Sequence, residues 1–290
     1  MLKFLFLTLF FPALVLANFF EQPAEGTSVL DLSTRWKIEE REHEDNTRVI
    51  DEREYSFLLS RLAFKKTIVD SLSFGAAINY SLFGTHKKMF AEPSLLNTGE
   101  IDFYGLRSIE LQSQYLSTDK NLALEIHLEG TLQRARERNA SLGGFDGKLI
   151  FKYLHELGNF QIGGKLFSSV IGKKRVFRKD GEREIVDPYN QFGNELTLIS
   201  HFSNWTISLS GHFLLATDYV VRSPSYTRSS DKGFGVGGKL NFAYSFNAKE
   251  ISFWHERSNQ VFNVITIDPS QQFEYEIEEQ STGLGFKWLY

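Results

Sequence analysis

The sequence contains no cysteine, and only 6 prolines and 2 methionines occur among its 290 residues. Without cysteine the chain has no disulfide framework, no thiolate zinc site and no cysteine nucleophile. Its formal net charge of −4 lacks the basic excess that general nucleic-acid binding requires. Beyond Phe20 it also lacks any run of about 18 apolar residues, the length of a membrane-spanning helix. These absences argue against disulfide-stapled scaffolds, nucleic-acid binders and helical membrane proteins.

The first 17 residues have the organisation of a secretory signal peptide. A cation at Lys3 precedes an apolar run that continues to Leu16, and small residues end the segment at Ala17. The alternative is an uncleaved membrane anchor, which Pro12 and the short apolar length disfavour. The sequence therefore predicts an exported protein whose signal peptide, residues 1–17, is cleaved.

Apolar and polar residues alternate through most of the remaining chain. Successive side chains of a β-strand point to opposite faces, so a period of two predicts a strand with one apolar face. In FAYSFNAKEISFW, residues 242–254, Phe242, Tyr244 and Phe246 share one face, and the alternation restarts at Ile251 after a turn. The pattern recurs at 28–41, 72–82, 122–132, 205–215, 234–246 and 284–290, and more weakly at 54–66, 101–116, 144–155, 159–171, 192–201 and 250–265. We predict about twelve strands joined by hairpin connections.

Short and long connections alternate between these strands. Short turns are predicted near 67–70, 117–120, 156–158, 202–204 and 247–250. Longer polar loops are predicted near 42–53, 85–100, 135–143, 172–191, 218–232 and 266–275. A soluble sandwich has no reason to gather long loops at one end, whereas outer-membrane barrels have short periplasmic turns and long extracellular loops. Residues 18–290 are thus predicted to be all-β: a single up-and-down antiparallel transmembrane β-barrel with its apolar faces in lipid.

Aromatic side chains are expected to mark the periplasmic boundary of the membrane. If the short turns are periplasmic, the residues at that level are Tyr115, Tyr153, Trp205, Tyr244, Phe246, Trp288 and Tyr290. Amphipathic rings favour this interface, where they form a girdle. A general preference of aromatic residues for strands would not concentrate them beside the short turns. We therefore interpret the set as an interfacial girdle.

The chain ends in GLGFKWLY, in which apolar residues alternate and the last residue is aromatic. With this ending, the signal peptide and the hairpin series, the chain resembles bacterial outer-membrane β-barrel proteins of the porin-like class. The usual terminal residue of that class is Phe, and here it is Tyr290. The resemblance implies a location in the outer membrane, contact with its lipids including lipopolysaccharide, and recognition by the barrel-assembly machinery. It identifies a class and no particular family.

Residues on the polar faces of the strands would line the lumen. Those of interest are Arg35, Lys37, Glu39, Glu125, His127, Glu129, Lys148, Lys152, Lys165, His212 and Lys239. Both signs of charge occur, so the lining is not that of a strongly ion-selective pore. One interpretation is a narrow passive channel for small hydrophilic solutes. The other is a closed interior in which the charges pair, within a structural or adhesive barrel. Neither requires a reaction, a cofactor or a metal.

One stretch, HERSNQ at 255–260, is a weak candidate for catalysis. It resembles the His-x-Ser-Asn pattern of outer-membrane phospholipase A and of lipid A deacylases. The resemblance implies a His and a Ser two residues apart on one face, so that His activates the hydroxyl. Here Ser258 is three residues after His255 and so on the opposite face, unless a β-bulge intervenes. A lipid hydrolase is therefore the alternative function. The other histidines show no metal-ligand spacing.

The predicted loop 172–191 carries a dense basic cluster. Its cations are Lys173, Lys174, Arg175, Arg178 and Lys179, and acidic residues follow them. Such a cluster could bind lipopolysaccharide phosphates through charge-assisted hydrogen bonds, or fold into the barrel mouth. Most charge runs of this kind are solvated loops, which is the interpretation we favour.

Overall fold

The computed structural model describes residues 24–45, 48–91, 101–102, 104–131, 144–158, 160–177, 183–224, 227–267 and 270–290. Seventeen strands belong to one sheet. In chain order they are β1 Ser28–Asp45, β2 Arg48–Val69, β3 Leu72–Ala91, β4 Ile101–Asp102, β5 Gly105–Leu116, β6 Leu122–Thr131, β7 Gly144–Leu157, β8 Phe160–Ile171, β9 Lys174–Phe177, β10 Arg183–Val186, β11 Tyr189–Phe202, β12 Trp205–Ala216, β13 Tyr219–Arg222, β14 Thr227–Ser230, β15 Gly233–Phe246, β16 Lys249–Ile267 and β17 Ser270–Leu289. Within these ranges no helix is long and apolar enough to cross a membrane.

Twelve of the strands form a closed antiparallel ring. Around the ring the order is β1, β2, β3, β5, β6, β7, β8, β11, β12, β15, β16 and β17. The ring closes where β1 pairs with β17, from Val29↔Leu289 to Glu44↔Glu274. Closure leaves no strand edge with unpaired backbone groups, which hydrocarbon would penalise by several kcal/mol each. The predicted up-and-down barrel of about twelve strands is confirmed.

The short turns lie at the same end of the barrel as the start of β1 and the end of β17. The Ser28 amide donates to the Tyr290 carbonyl at 2.8 Å, and the Tyr290 amide donates to the Ser28 carbonyl at 3.0 Å. The turns at this end are 70–71, 117–121, 158–159, 203–204 and 247–248. Ser203 and Asn247, the first residues of their two-residue turns, have φ of 56° and 52°. A positive φ at this position is typical of type II′ hairpins.

At the opposite end the structure corrects two predicted loops. Residues 42–53 and 266–275 are mostly strand, because β1 and β2 are separated only by residues 46–47, and β16 and β17 only by 268–269. These four strands have 18 to 22 residues, whereas about 9–11 suffice to cross a bilayer. Their outer parts therefore extend past the membrane. There neither face meets lipid, so the alternation that reveals a strand is lost while the backbone pairing continues.

Small strands outside the ring extend this end of the barrel. β9 and β10 form a hairpin within the predicted loop 172–191, and β13 and β14 form another within 218–232. The two hairpins pair through β10 and β13, and β14 pairs with β16. The loop predicted at 85–100 is also corrected in part, because residues 85–91 belong to β3. The rest of that loop, 92–100, and the predicted loop 135–143 lie outside the described residues.

The ring is apolar outside and polar inside. Leu209 is 59% exposed, whereas its neighbour Ser210 is 7% exposed. The same contrast recurs around the ring, with exposed Leu166, Leu196 and Leu284 on the outer face. Soluble monomers do not expose an apolar band on this scale, and lipid is the solvent that it fits.

Candidate functional site in the barrel lumen

The predicted lumen residues lie on the inward face of the ring. They are Arg35, Lys37 and Glu39 on β1, Glu125, His127 and Glu129 on β6, Lys148 and Lys152 on β7, Lys165 on β8, His212 on β12 and Lys239 on β15. They alternate along each strand with exposed apolar residues of the outer face. Several form ion pairs that only the register between neighbouring strands could establish.

Glu125 contacts a histidine on its own strand and a lysine on the neighbouring strand. Its two carboxylate oxygens lie 2.7 Å from Lys152 Nζ and 3.1 Å from His127 Nε2. The side chains of Glu125 and Lys152 are 6% and 7% exposed. Charges this enclosed are tolerated only when they are paired and hydrogen-bonded, which is the arrangement here.

A second group of ion pairs crosses the seam of the barrel. Lys37 Nζ lies 3.0 Å from a carboxylate oxygen of Glu39 and 2.8 Å from one of Glu279 on β17. Farther round, Arg61 on β2 and Glu110 on β5 are 3.0 Å apart, spanning β3 between them. Ion pairs in the lumen therefore link strands of the ring, in addition to the backbone hydrogen bonds between neighbouring strands. Arg61 and Glu110 were missed in the sequence because their strands alternate weakly, and Glu279 was missed because it lies between the predicted loop 266–275 and the predicted strand 284–290.

A third group lies on β8, β11, β16 and β17. Lys165 Nζ is 2.7 Å from Glu195 Oε1, which also accepts a hydrogen bond of 3.1 Å from the Thr197 hydroxyl. Lys287 Nζ and Glu250 Oε1 are 3.6 Å apart. Of these residues only Lys165 belongs to the predicted lumen set. Inward parity on the neighbouring strands was the signal that could have found the others.

Two lumen lysines rest on aromatic rings. Lys148 Nζ lies 4.0 Å from the centroid of the Phe167 ring, and Lys239 Nζ lies 5.6 Å from that of the Trp254 ring. Each ring covers a glycine on the next strand: a Cβ would overlap Phe167 at Gly193 and Trp254 at Gly283. The inward glycines therefore provide the space that bulky lumen side chains occupy.

A β-bulge adds Arg107 to the lumen. Asn79 pairs with Ser108 and the next residue, Tyr80, pairs with Leu106, so Arg107 is the extra residue on β5. Strict alternation would have placed it outside. Instead its guanidinium lies 5.4 Å from the centroid of the Phe57 ring, and its buried Nη1 has no hydrogen-bond partner among the described residues.

A polar cavity of about 260 Å³ opens between the inward faces of eight strands. Its charged lining comprises Asp31, Lys152, Lys165, Glu195, Lys239, Glu250 and Lys287. Its other polar lining comprises Ser33, Thr197, Thr206, Ser208, Ser210, Asn241 and Ser252. Ile199, Trp254 and Gly285 complete it. The cavity therefore offers hydroxyl groups, charges of both signs and one large aromatic surface.

An aromatic cluster lines one side of the outer mouth. Tyr219 is the first residue of the β13–β14 hairpin. Its ring centroid lies 4.9 Å from that of Tyr189 and 5.9 Å from that of Phe262. Phe262 in turn lies 6.2 Å from Tyr275. Ala216, Phe262 and Val264 are buried at its centre. This end of the barrel therefore carries a packed apolar cluster, whereas mostly polar and charged side chains line the cavity.

The predicted girdle residues lie at the end that carries the short turns. Five of them are exposed on the outer face: Tyr115, Tyr153, Trp205, Trp288 and Tyr290. Trp205 and Tyr244 are cross-strand partners with ring centroids 4.8 Å apart, and Tyr244 lies 6.0 Å from Phe246. The rings thus form contacts along and between strands at this level.

The candidate catalytic residues do not meet. His255 is on the outer face, where its Nδ1 lies 2.8 Å from the Thr282 hydroxyl. Ser258 is on the inner face, in register with Gly237 and Glu279. No bulge interrupts the register of β16 between them, so nothing reverses the parity. Within the described ranges no group of three or more His, Asp or Glu residues could hold a metal ion.

The basic cluster of the predicted loop 172–191 lies partly within the described residues. Lys173 is exposed, and Lys174 Nζ lies 3.2 Å from Asp146 Oδ2 on β7. Arg175 belongs to β9, whereas Arg178 and Lys179 lie outside the described residues. At least one cation of the cluster is therefore engaged with the barrel rim.

Comparison with solved structures places this architecture among outer-membrane barrels. An outer-membrane channel from Pseudomonas putida F1 superposes with a TM-score of 0.59 at 13% identity, over 93% of this chain and 98% of that one. The toluene transporter TodX of Pseudomonas putida gives 0.43 at 9% identity, over 91% and 90%. The outer-membrane protease OmpT of Escherichia coli gives 0.36 at 10% identity, over 91% and 96%. The first similarity supports the shared fold, and the other two scores are too low to carry an argument.

No protein-family model and no curated protein sequence matches the chain. The fold and the exposed apolar band define the chain as a transmembrane β-barrel of the bacterial outer-membrane class.

Proposed function

We propose that this protein is an outer-membrane channel that passes small hydrophilic solutes without a chemical reaction. The observation that carries the proposal is the polar cavity of about 260 Å³ inside the ring. Hydroxyl and charged side chains line it, and most of the charges are satisfied in pairs such as Lys165–Glu195. Such a lining substitutes for the hydration of a polar solute, whereas an apolar solute would gain nothing from it.

The same proposal places the protein in the outer membrane, in contact with its lipids and, during assembly, with the barrel-assembly machinery. The signal peptide at residues 1–17 directs export, and the C-terminal strand is the segment that the barrel-assembly machinery recognises. The apolar band then meets outer-membrane lipids. The basic residues beside β9 lie near lipopolysaccharide phosphates, for which their charge is suited. Fractionation of cells that express the full chain tests the location in the outer membrane. Amino-terminal sequencing of the outer-membrane form tests the cleavage after Ala17.

The lipid hydrolase is the weaker proposal. Its only candidate pair, His255 and Ser258, lies on opposite faces of β16. A histidine can activate a serine hydroxyl only within hydrogen-bond reach. Fatty-acid release from phospholipid vesicles, measured for the wild type and for a Ser258→Ala variant, tests it directly. Release that depends on Ser258 would support the hydrolase over the channel.

Conductance decides between a channel and a closed barrel. The full-length protein, inserted in planar bilayers, is expected to give discrete conductance steps, and liposomes that contain it are expected to swell in small sugars. Absence of both, in preparations that migrate as folded protein without boiling, would favour a structural barrel whose ion pairs and aromatic mouth close the interior.

A further inference from the structure

We propose that Lys239 and Trp254 form an anion-binding site in the lumen cavity, which takes a small carboxylate or phosphate. The inference rests on the proposed function in one respect, because a solute must be able to enter the lumen. It goes beyond that function by assigning the solute a charge and a site. The ligand would sit against the ammonium group of Lys239, beside the indole of Trp254.

Lys239 differs from the other cavity lysines in having no carboxylate partner. Lys152, Lys165 and Lys287 are paired with Glu125, Glu195 and Glu250 respectively. Among the described residues no carboxylate oxygen lies within 4.0 Å of Lys239 Nζ. Its full charge is therefore available to a ligand, while the charges of its neighbours are already compensated.

Two acidic residues lie near Lys239 and do not neutralise it. Glu256 is its cross-strand neighbour in the register of β15 and β16, yet the ammonium group turns towards Trp254 instead. Glu195 lies within electrostatic range, but its carboxylate is bound by Lys165 and Thr197. A ligand anion would therefore be the group that completes the surroundings of Lys239.

The indole of Trp254 fixes the ammonium group without cancelling its charge. A cation above an aromatic face is attracted by the ring quadrupole and stays available for hydrogen bonds on its other side. The ring is itself held in place, because Trp254 occupies the space above Gly283 and a Cβ there would overlap it. The site is thus built from three neighbouring strands before any ligand arrives.

The remaining wall supplies hydrogen-bond donors. Ser208, Ser210, Asn241 and Ser252 line the same cavity. Charge-assisted hydrogen bonds to a carboxylate or phosphate are about twice as strong as neutral ones, which favours an oxyanion over a neutral polyol. At about 260 Å³ the cavity lies below the common range of about 300–1,000 Å³ for drug-sized ligands, which suits a small solute.

Direct binding to the folded full-length protein tests the site. Titration of inorganic phosphate and of acetate into detergent-solubilised protein is expected to give saturable heat by calorimetry, and Lys239→Gln is expected to abolish it. The matched control is Lys249→Gln. Lys249 Nζ also lies over an indole, 5.8 Å from the centroid of Trp288, but on the outer face, so this variant should bind as the wild type does. Each variant must retain the mobility shift of a folded barrel on unboiled gels.

The outcomes separate this inference from the proposed channel. Equal phosphate and acetate affinity in Lys239→Gln and the wild type would overturn the site, as would equal affinity of the wild type for glucose and for acetate. Gly283→Ala offers a second test, because displacement of the indole should weaken binding while every charge remains. Conductance without anion binding would support the channel and refute the anion-binding site. Anion binding without conductance would support the site and refute the channel.

Discussion

Leu30 on the first strand is the cross-strand partner of Trp288 on the last strand. This pairing lies next to the terminal hydrogen bonds between Ser28 and Tyr290, so the last three residues anchor the seam that closes the ring. An unclosed seam would leave backbone groups unpaired in hydrocarbon.

Deletion of residues 288–290 is therefore expected to abolish stable assembly, with the protein lost to periplasmic degradation. The measurement is the amount of heat-modifiable protein in the outer membrane, compared with a full-length chain carrying Tyr290→Phe as the control. A soluble β-protein would usually tolerate such a truncation. Normal amounts of folded truncated protein would refute the role of the seam.

Leu209 and Ser208 are adjacent on β12 but face lipid and lumen respectively. An arginine at the bilayer midplane on the lipid face costs about 2–4 kcal/mol, so Leu209→Arg should lower the free energy of unfolding by about that amount. Ser208→Arg, in the polar cavity, should be better tolerated. Urea unfolding in lipid vesicles measures both, and equal losses would show that the two faces have been assigned the wrong way round.

Glu125 and Glu129 contribute two inward carboxylates from one strand. Their joint replacement by glutamine removes two negative charges and releases Lys152 and His127 from Glu125. We expect the permeability to shift towards anions, which appears as a change of reversal potential in a salt gradient. Asp119→Asn, in the exposed turn between β5 and β6, changes one charge outside the lumen and serves as the control. An unchanged potential in the double variant would show that ions do not pass this wall.

The cysteine-free chain allows a direct test of topology. Lys173→Cys lies in the predicted extracellular loop 172–191, and Asn247→Cys lies in a predicted periplasmic turn. In intact cells a membrane-impermeant maleimide should label the first variant only, and after permeabilisation it should label both. Labelling of Asn247→Cys alone in intact cells would show that the barrel has the opposite orientation in the membrane.

The Tyr219 ring contacts those of Tyr189 and Phe262 at the outer end of the barrel, where we expect it to narrow the entrance. Tyr219→Ala should widen the entrance and raise the single-channel conductance without changing the ion selectivity, because the charged lining lies deeper. Tyr153→Ala removes a ring of the outer-face girdle instead and should leave the conductance unchanged. A conductance that does not respond to Tyr219→Ala would place the narrowest point elsewhere in the lumen.

The sequence by itself determined the membrane-crossing strands, the ring that they form and its two faces. Alternation such as that of Leu209 and Ser208 is imposed by lipid on one side and water on the other, so it can be read without any structure. Where strands pass beyond the bilayer, as at 42–53, lipid no longer imposes a pattern, and the sequence predicted a loop instead of a strand.

Only the tertiary structure decided which lumen groups meet. Parity assigns a side chain to a face, but its partners depend on the register between strands far apart in sequence, as for Lys37 and Glu279. A single extra residue reverses parity locally, which is how Arg107 enters the lumen. The fit of Trp254 over Gly283 likewise depends on register and close packing. The charge that Lys239 retains follows from those contacts, because a charge is compensated by its neighbours in space and not by its neighbours along the chain.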